Sequence, residues 1–421
     1  MDIFKRWIFI IYTIFSTSLL YSQNVITIRD DRVLLLNGKP FFPLGVYCEV
    51  INSWRHPDGY AELENSGFNL INLDWGTKAL EPFSKGMISV ESLPSLSYTN
   101  PVNAYRVLND ANDHNLFILA DFMPFYQDAT DFDGEYVIIN QAFREQAVDN
   151  LVDWDIVEND HFLGWYSRDE PIWSVDAYRP GTAGYYCRSL VENRYYNMLK
   201  PTYDYVKTQD PDHIVFMNFC FAHDIRFYPD YYSYESARAQ YTADILLYSG
   251  AADIIAHDIY PIWFWGGGES ENPAHYSDVK YKLFENDEIS LVGDYTKLLV
   301  ESVNKPVFVV LEGYIKYNRS YANYNRLRFE AYHAIVNGAT GLIWYGWFNE
   351  SYNSNIWTWW KNLVHDEFSE LTPNSLNKVL TARTSSLNLT VIETNIDAYS
   401  GESCHPFRMK VYHLVSSDIS V

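Results

Sequence analysis

The chain has 421 residues, a formal net charge of -23 and a hydrophobic share of 48%. A field of that sign repels nucleic acid and anionic membrane, so neither is expected as a partner, and the apolar share suffices for a sizeable core. Aromatic residues make up 17%, with 35 Tyr and 13 Trp. Many must pack a core, but Tyr and Trp set after strands also form platforms for the apolar faces of sugar rings.

Residues 1–22 combine Lys5 and Arg6, an apolar stretch over 7–15 and a small-residue exit at Ser22. This reads as a cleaved secretory signal, so the mature chain is expected to be secreted or periplasmic and not inserted in a membrane. Residues 23–385 read as one barrel domain including an N-terminal hairpin. Residues 386–421 read as a small β segment, with a truncated β-sandwich as one form it would take. The hairpin is predicted over 25–29 and 32–36 around Asp30-Asp31, with a second turn at Asn37-Gly38.

From there short apolar runs, each with a polar end and followed by helical patterning, repeat along the chain. Strands are predicted at 41–47, 68–73, 116–120, 162–166, 214–217, 254–256, 307–311 and 341–344, with helices over 102–114, 141–157, 185–207, 289–303 and 321–337. That rhythm is the signature of a (β/α)8 TIM barrel, whose active site lies at the C-terminal ends of the strands. Long insertions at 78–100, 127–140, 174–184, 221–235 and 262–287 all follow strands and would wall a cleft. Thr372-Pro373 has the form of an N-cap and first helical residue for a last helix to Arg383, and 389–395 and 407–414 alternate like strands. The four cysteines, Cys48, Cys187, Cys220 and Cys404, show no metal-ligand spacing; at most one disulfide is expected, with buried free thiols as the alternative.

Two stretches carry chemistry. The fourth strand runs into Arg168, Asp169 and Glu170 before Pro171 ends ladder pairing, with Trp165, Tyr166 and Trp173 nearby. Apolar surroundings raise a carboxyl pKa, which suits Glu170 to donate a proton near neutral pH. The seventh strand repeats the design, an uninterrupted apolar run over 307–311 followed at once by Glu312. Either glutamate alone is equally well read as a salt-bridge partner or helix cap. Two at two strand ends are what acetal cleavage requires: one protonated on the leaving oxygen, one ionised on the opposite face of the sugar.

Asp169-Glu170-Pro171 after strand four, Glu312 after strand seven and Trp344 on strand eight resemble the pattern of clan A glycoside hydrolases, the superfamily of barrel β-galactosidases, cellulases and mannanases. The resemblance covers about 33–383 and implies Glu170 as acid/base, Glu312 as nucleophile and Tyr260, in Asp258-Ile259-Tyr260-Pro261, as a hydrogen-bond partner of the nucleophile. Where the family has asparagine before the acid/base, this chain has Asp169, which when ionised accepts a hydrogen bond but cannot donate one. Further strand-end candidates for gripping hydroxyls are Tyr47, Asp74, Asp121, Asn218, His257 and Asp258, with Trp344 and Trp347 as sugar platforms.

The expected function is a secreted retaining glycoside hydrolase acting on β-linked oligo- or polysaccharide, with no cofactor and no metal. The first strand offers Val46-Tyr47-Cys48 rather than His-x-His, Gly266-Gly267-Gly268 sits among aromatics rather than in a phosphate loop, and no Gly-x-Ser-x-Gly elbow occurs. The alternative is a barrel that has lost catalysis and binds carbohydrate, with Asp169 as the mark of the loss.

Overall fold

The computed structural model describes residues 24–48, 58–73, 101–121, 129–130, 136–137, 141–169, 171, 191–192, 195–220, 234–260, 291–313, 324–346, 355–371, 380, 389–398 and 407–416. The signal segment, the five long insertions apart from a few of their residues, and most of the helix expected over 372–383 lie outside them. Among the described residues no helix is long and apolar enough to cross a membrane.

Three short strands, β1 (Ile26–Ile28), β2 (Leu34–Leu36) and β3 (Lys39–Phe41), form an antiparallel sheet. The turn between β2 and β3 uses Asn37 and Gly38, both at positive φ (53° and 74°), as a tight hairpin turn demands. Eight parallel strands then close a barrel: β4 (Leu44–Cys48), β5 (Leu70–Leu73), β6 (Phe117–Asp121), β9 (Phe162–Asp169), β10 (Ile214–Cys220), β11 (Ile254–Asp258), β12 (Val307–Glu312) and β13 (Gly341–Tyr345), with β13 pairing back onto β4. All eight predicted strands are present and the (β/α)8 expectation holds. A two-residue pair, β7 (Ala129–Thr130) and β8 (Tyr136–Val137), stands apart, as does the antiparallel hairpin of β14 (Leu389–Ala398) and β15 (Phe407–Ser416).

The helices alternating with the strands are α1 (Gly59–Asn65), α2 (Pro101–Asp113), α3 (Gln141–Asp153), α4 (Lys200–Gln209), α5 (Tyr234–Ser249), α6 (Leu291–Ser302), α7 (Tyr324–Val336) and α8 (Asn355–Leu363). A π-helical turn, Tyr195–Leu199, leads into α4, and a second, Val364–Phe368, follows α8. Helices α1, α5 and α8 are additions to the sequence reading.

Two apolar clusters show which way each strand faces. One, the barrel interior, contains Tyr47, Leu70, Leu119, Leu163, Tyr166, Phe216, Ala256, Val310 and Ile343. The other lies between strands and helices and includes Val46, Ile71, Ala120, Trp165, Met217, Ile255, Leu311 and Trp344. Neighbouring residues fall in opposite clusters because side chains alternate across a strand.

Strand β9 breaks this alternation once. Leu163 and Tyr166, three residues apart, both face inward, because the ladder to β6 shifts after Ile118 and pairs Leu119 with Gly164. Gly164 sits at φ +155°, and a Cβ there would lie 2.2 Å from the Ile214 carbonyl oxygen, so only glycine admits this bulge. Trp165 consequently points outward. Its indole N–H donates to Asp210 Oδ2 at 2.7 Å, and His213 Nδ1 donates to the other carboxylate oxygen at 2.7 Å. Trp165 therefore locks the strand to the turn after α4; Glu170, beside which the sequence sets it, lies outside the described residues.

Candidate active site

Counting outward from the interior cluster, the inner face at the C-terminal end of the barrel carries Tyr47 on β4, Asn72 on β5, Tyr166 on β9, Asn218 on β10, Asp258 on β11, Glu312 on β12 and Tyr345 on β13. All but Tyr345 are buried; Tyr345 is half-buried. The polar residues end the apolar alternation of their strands toward the C-terminal ends, so the inner layer changes from apolar to polar there.

The tyrosines form a connected row. Tyr166 and Tyr47 meet edge to face at 5.7 Å, with their hydroxyls 3.5 Å apart. Tyr47 meets Tyr345 edge to face at 5.4 Å, and Tyr345 stacks on Tyr260 at 5.9 Å and 16°. Offset and edge-to-face packing of this kind fixes ring orientation.

Glu312 is 2% exposed and pairs with Tyr345 across the β12–β13 ladder. Its backbone is held from both sides. The Trp360 indole N–H donates to its carbonyl at 2.7 Å, and at the next residue, Gly313, a Cβ would come within 2.0 Å of the Tyr345 carbonyl oxygen. The backbone from which the Glu312 carboxylate projects is thus fixed in place.

Two predicted site residues face away from this layer. His257 is fully buried against α6, with Nε2 2.8 Å from Thr296 Oγ1. The single hydroxyl proton of Thr296 is donated to the Val292 carbonyl at 2.7 Å, so its oxygen accepts from His257, which is therefore the neutral Nε2–H tautomer. Burial pushes the His257 imidazole down to about 3, in keeping with that form. Trp344 packs edge-on to Phe68 at 5.5 Å and against Trp360 of α8 at 5.0 Å, in the helical layer. It is not a floor for the mouth; its neighbour Tyr345 holds the inner-face position.

The remaining predictions divide by what is described. Tyr47, Asn218, Asp258, Tyr260 and Glu312 come together at the mouth. For Asp121 and Asp169 only the backbone is described: Asp121 pairs with Tyr166, and Asp169 with Asn218 after a second ladder irregularity passes over Ser167. Glu170, Asp74 and Trp347 lie outside the described residues. Among the described residues no group of three His, Cys, Asp or Glu is arranged to hold a metal ion.

Asn72 was not anticipated. It is fully buried, and neither its amide oxygen nor its nitrogen has a hydrogen-bond partner among the described residues. Its signal in the sequence was an amide, one of two, inside the otherwise apolar run Phe68-Asn69-Leu70-Ile71-Asn72-Leu73. Asn69, the other amide of that run, is spent on structure: its side chain accepts from the Leu44 N–H at 2.8 Å and donates to the Phe42 carbonyl at 3.1 Å.

No protein-family model matches the chain, and no curated protein matches it in sequence. Among solved structures it is similar to a β-glucuronidase of Bacteroides uniformis, at 11% identity and a TM-score of 0.43 over 76% of this chain and 32% of that one. It is similar to a GH2 β-galacturonidase from Eisenbergiella tayi at 12% identity and a TM-score of 0.40, over 76% of this chain and 46% of that one. A β-galactosidase from the Antarctic haloarchaeon Halorubrum lacusprofundi gives 14% identity and a TM-score of 0.44, over 72% of this chain and 52% of that one. The matched region thus spans between about a third and a half of the length of each of these structures.

Proposed function

We propose that the chain is a retaining glycoside hydrolase of the clan A type acting on β-linked, neutral glycans outside the cytoplasm, with Glu312 as nucleophile and Glu170 as acid/base. The observation that carries this reading is Glu312: a carboxylate at the C-terminal end of the seventh barrel strand, buried on the inner face, with Tyr345 of the tyrosine row as its ladder partner on β13. In the proposed cycle Glu170 gives its proton to the leaving glycosidic oxygen while a Glu312 oxygen attacks the anomeric carbon from the opposite face. The glycosyl ester so formed is hydrolysed by a water that Glu170, now ionised, deprotonates. Tyr260, stacked on Tyr345, is within the same aromatic row and is the candidate donor to the nucleophile. Asn218 and Asp258 supply polar groups for sugar hydroxyls. The acidic net charge, -23, favours neutral over acidic glycans.

The test is a panel of aryl β-glycosides with Glu312→Ala and Glu170→Ala. Each substitution is expected to lower turnover by at least about 100-fold, the scale of a lost acid/base group. Added azide then separates the roles. Glu312→Ala should yield a glycosyl azide of inverted configuration, and Glu170→Ala one of retained configuration. A wild-type protein that binds glycans but hydrolyses none of the panel establishes instead the non-catalytic carbohydrate-binding reading, which Asp169 in the usual asparagine position favours.

A further inference from the structure

The barrel ladder sets four residues in one row across the mouth. Glu312 on β12 pairs with Tyr345 on β13, Tyr345 with Tyr47 on β4, and Tyr47 with Asn72 on β5. Residues in register on parallel strands share a face, and Tyr47 belongs to the interior cluster, so Asn72 faces inward with it. Its partner on the other side, Leu119 of β6, is interior too. Asn72 therefore closes a polar row that opens at Glu312, three strand spacings or roughly 14 Å away along the ladder.

An amide at this place does nothing for the fold that the described residues show. It is fully buried, and both its oxygen and its nitrogen lack a hydrogen-bond partner among them. An amide can donate twice and accept twice, and leaving that capacity unmet in a buried place opposes folding. Asn69, just before the same strand, shows how an amide that the fold needs is used, with a backbone bond at each end. An apolar side chain would serve packing better at position 72, as Leu119 does at the next place in the row.

A group that opposes stability in the free protein points to what it meets in a complex. Sugar hydroxyls donate and accept at once, which matches the two ends of an amide, and a neutral amide selects for the hydroxyl itself rather than for charge. Glu312 is 2% exposed and so is closed off as Asn72 is; whatever admits a ring to one end of the row admits it to the other.

We propose that Asn72 is a specificity-determining residue of this site, its amide receiving the C3–C4 edge of the sugar ring whose anomeric carbon lies at Glu312. The place of the anomeric carbon rests on the glycosidase reading, and the assignment with it. Position in the row selects the edge. The 2-hydroxyl adjoins the anomeric carbon and stays on the Glu312 side, whereas the hydroxyls of C3 and C4 extend toward the far end.

Kinetics of the whole protein test this, using an aryl β-glycoside that it hydrolyses together with the 2-, 3- and 4-deoxy analogues of that glycoside. Wild type should lose about tenfold or more in kcat/KM on the 3-deoxy or the 4-deoxy analogue. Asn72→Leu and Asn72→Ala should fall by a similar factor on the parent glycoside and match wild type to within about twofold on that analogue, because the same contact cannot be lost twice. Discrimination against the 2-deoxy analogue should be the same in all three proteins. Without sugar, Asn72→Leu, which keeps the branched shape and removes the unmet polar groups, should melt at or above wild type. Discrimination at C3 and C4 that is unchanged in both variants while hydrolysis persists overturns the assignment alone. A midpoint more than about 4 °C lower in both variants shows an amide held by the fold and overturns it as well. A wild type that hydrolyses no glycoside sinks the glycosidase reading first, and the assignment falls with it.

Discussion

At the scale of single residues, two buried titratable groups pull stability in opposite directions with pH. Glu330 has a folded pKa raised above its ordinary 4.5, chiefly by burial. Between those values the folded state holds more protons than the unfolded one, so stability is greatest below pH 4.5 and falls as pH rises toward the folded pKa. His257 is the converse case, lowered from 6.5 to about 3 by burial, so stability is full above 6.5 and is lost as pH falls through that window. Each group contributes at most about 1.4 kcal/mol per pH unit within its window. Glu330→Gln is therefore expected to flatten the decline of unfolding free energy above pH 4.5. His257→Gln, which keeps a donor near Thr296, should flatten the loss on the acid side. Urea melts from pH 4 to 9 measure both slopes, and a Glu330→Gln profile parallel to wild type would show that this glutamate does not hold its proton in the native state.

At the scale of elements, the site depends on how β9 is phased. The bulge at Gly164 sends Trp165 outward to Asp210 and Tyr166 inward to Tyr47. Gly164→Ala would force a Cβ onto the Ile214 carbonyl in a conformation L-residues rarely adopt. The expected cost is roughly 2 to 4 kcal/mol in chemical denaturation. A loss below about 0.5 kcal/mol, the usual range for an unremarkable surface change, would mean that β9 can adopt the regular alternation instead. This phase is also where sequence reading reached its limit. Glu312 was legible because a charge ends an apolar run, and the strands were legible because apolar runs recur between helical patterns. That Tyr345 and not Trp344 takes the inner face was not. Gly-Leu-Ile-Trp-Tyr is apolar on both faces, as a parallel strand covered by helices must be, so period two has no phase until a neighbouring strand supplies it. The outward turn of Trp165 was not legible for a related reason: a glycine in a strand suggests a bulge, but only the partners Leu119 and Ile214 show which way it turns the chain. Glu330 lay beyond reach because a glutamate on a helix reads as solvated until the stripe it interrupts is seen to be buried.

At the scale of the molecule, the ladder closes on itself. Each barrel strand pairs with two others of the eight, β13 returns to β4, and the N-terminal sheet is a separate three-stranded unit joined to β4 through Phe42 and Pro43. The β14–β15 hairpin pairs ten residues with ten, Leu389 opposite Ser416 through Ala398 opposite Phe407, and neither strand joins the barrel ladder. Closure therefore needs nothing from residues 386–421. Every described residue of the tyrosine row, and Glu312 with its Trp360 contact, precedes them in the chain. A protein ending at residue 385 is expected to fold, to unfold in one cooperative transition and to keep its midpoint within about 4 °C of the full chain, a shift corresponding to roughly 3 kcal/mol or less at about 2.1 cal/mol/K per residue. Calorimetry decides it. A truncated chain that is insoluble, or that melts more than 10 °C lower, would make the hairpin part of the barrel's own core, and the boundary near 385 would then divide one folding unit rather than separate two.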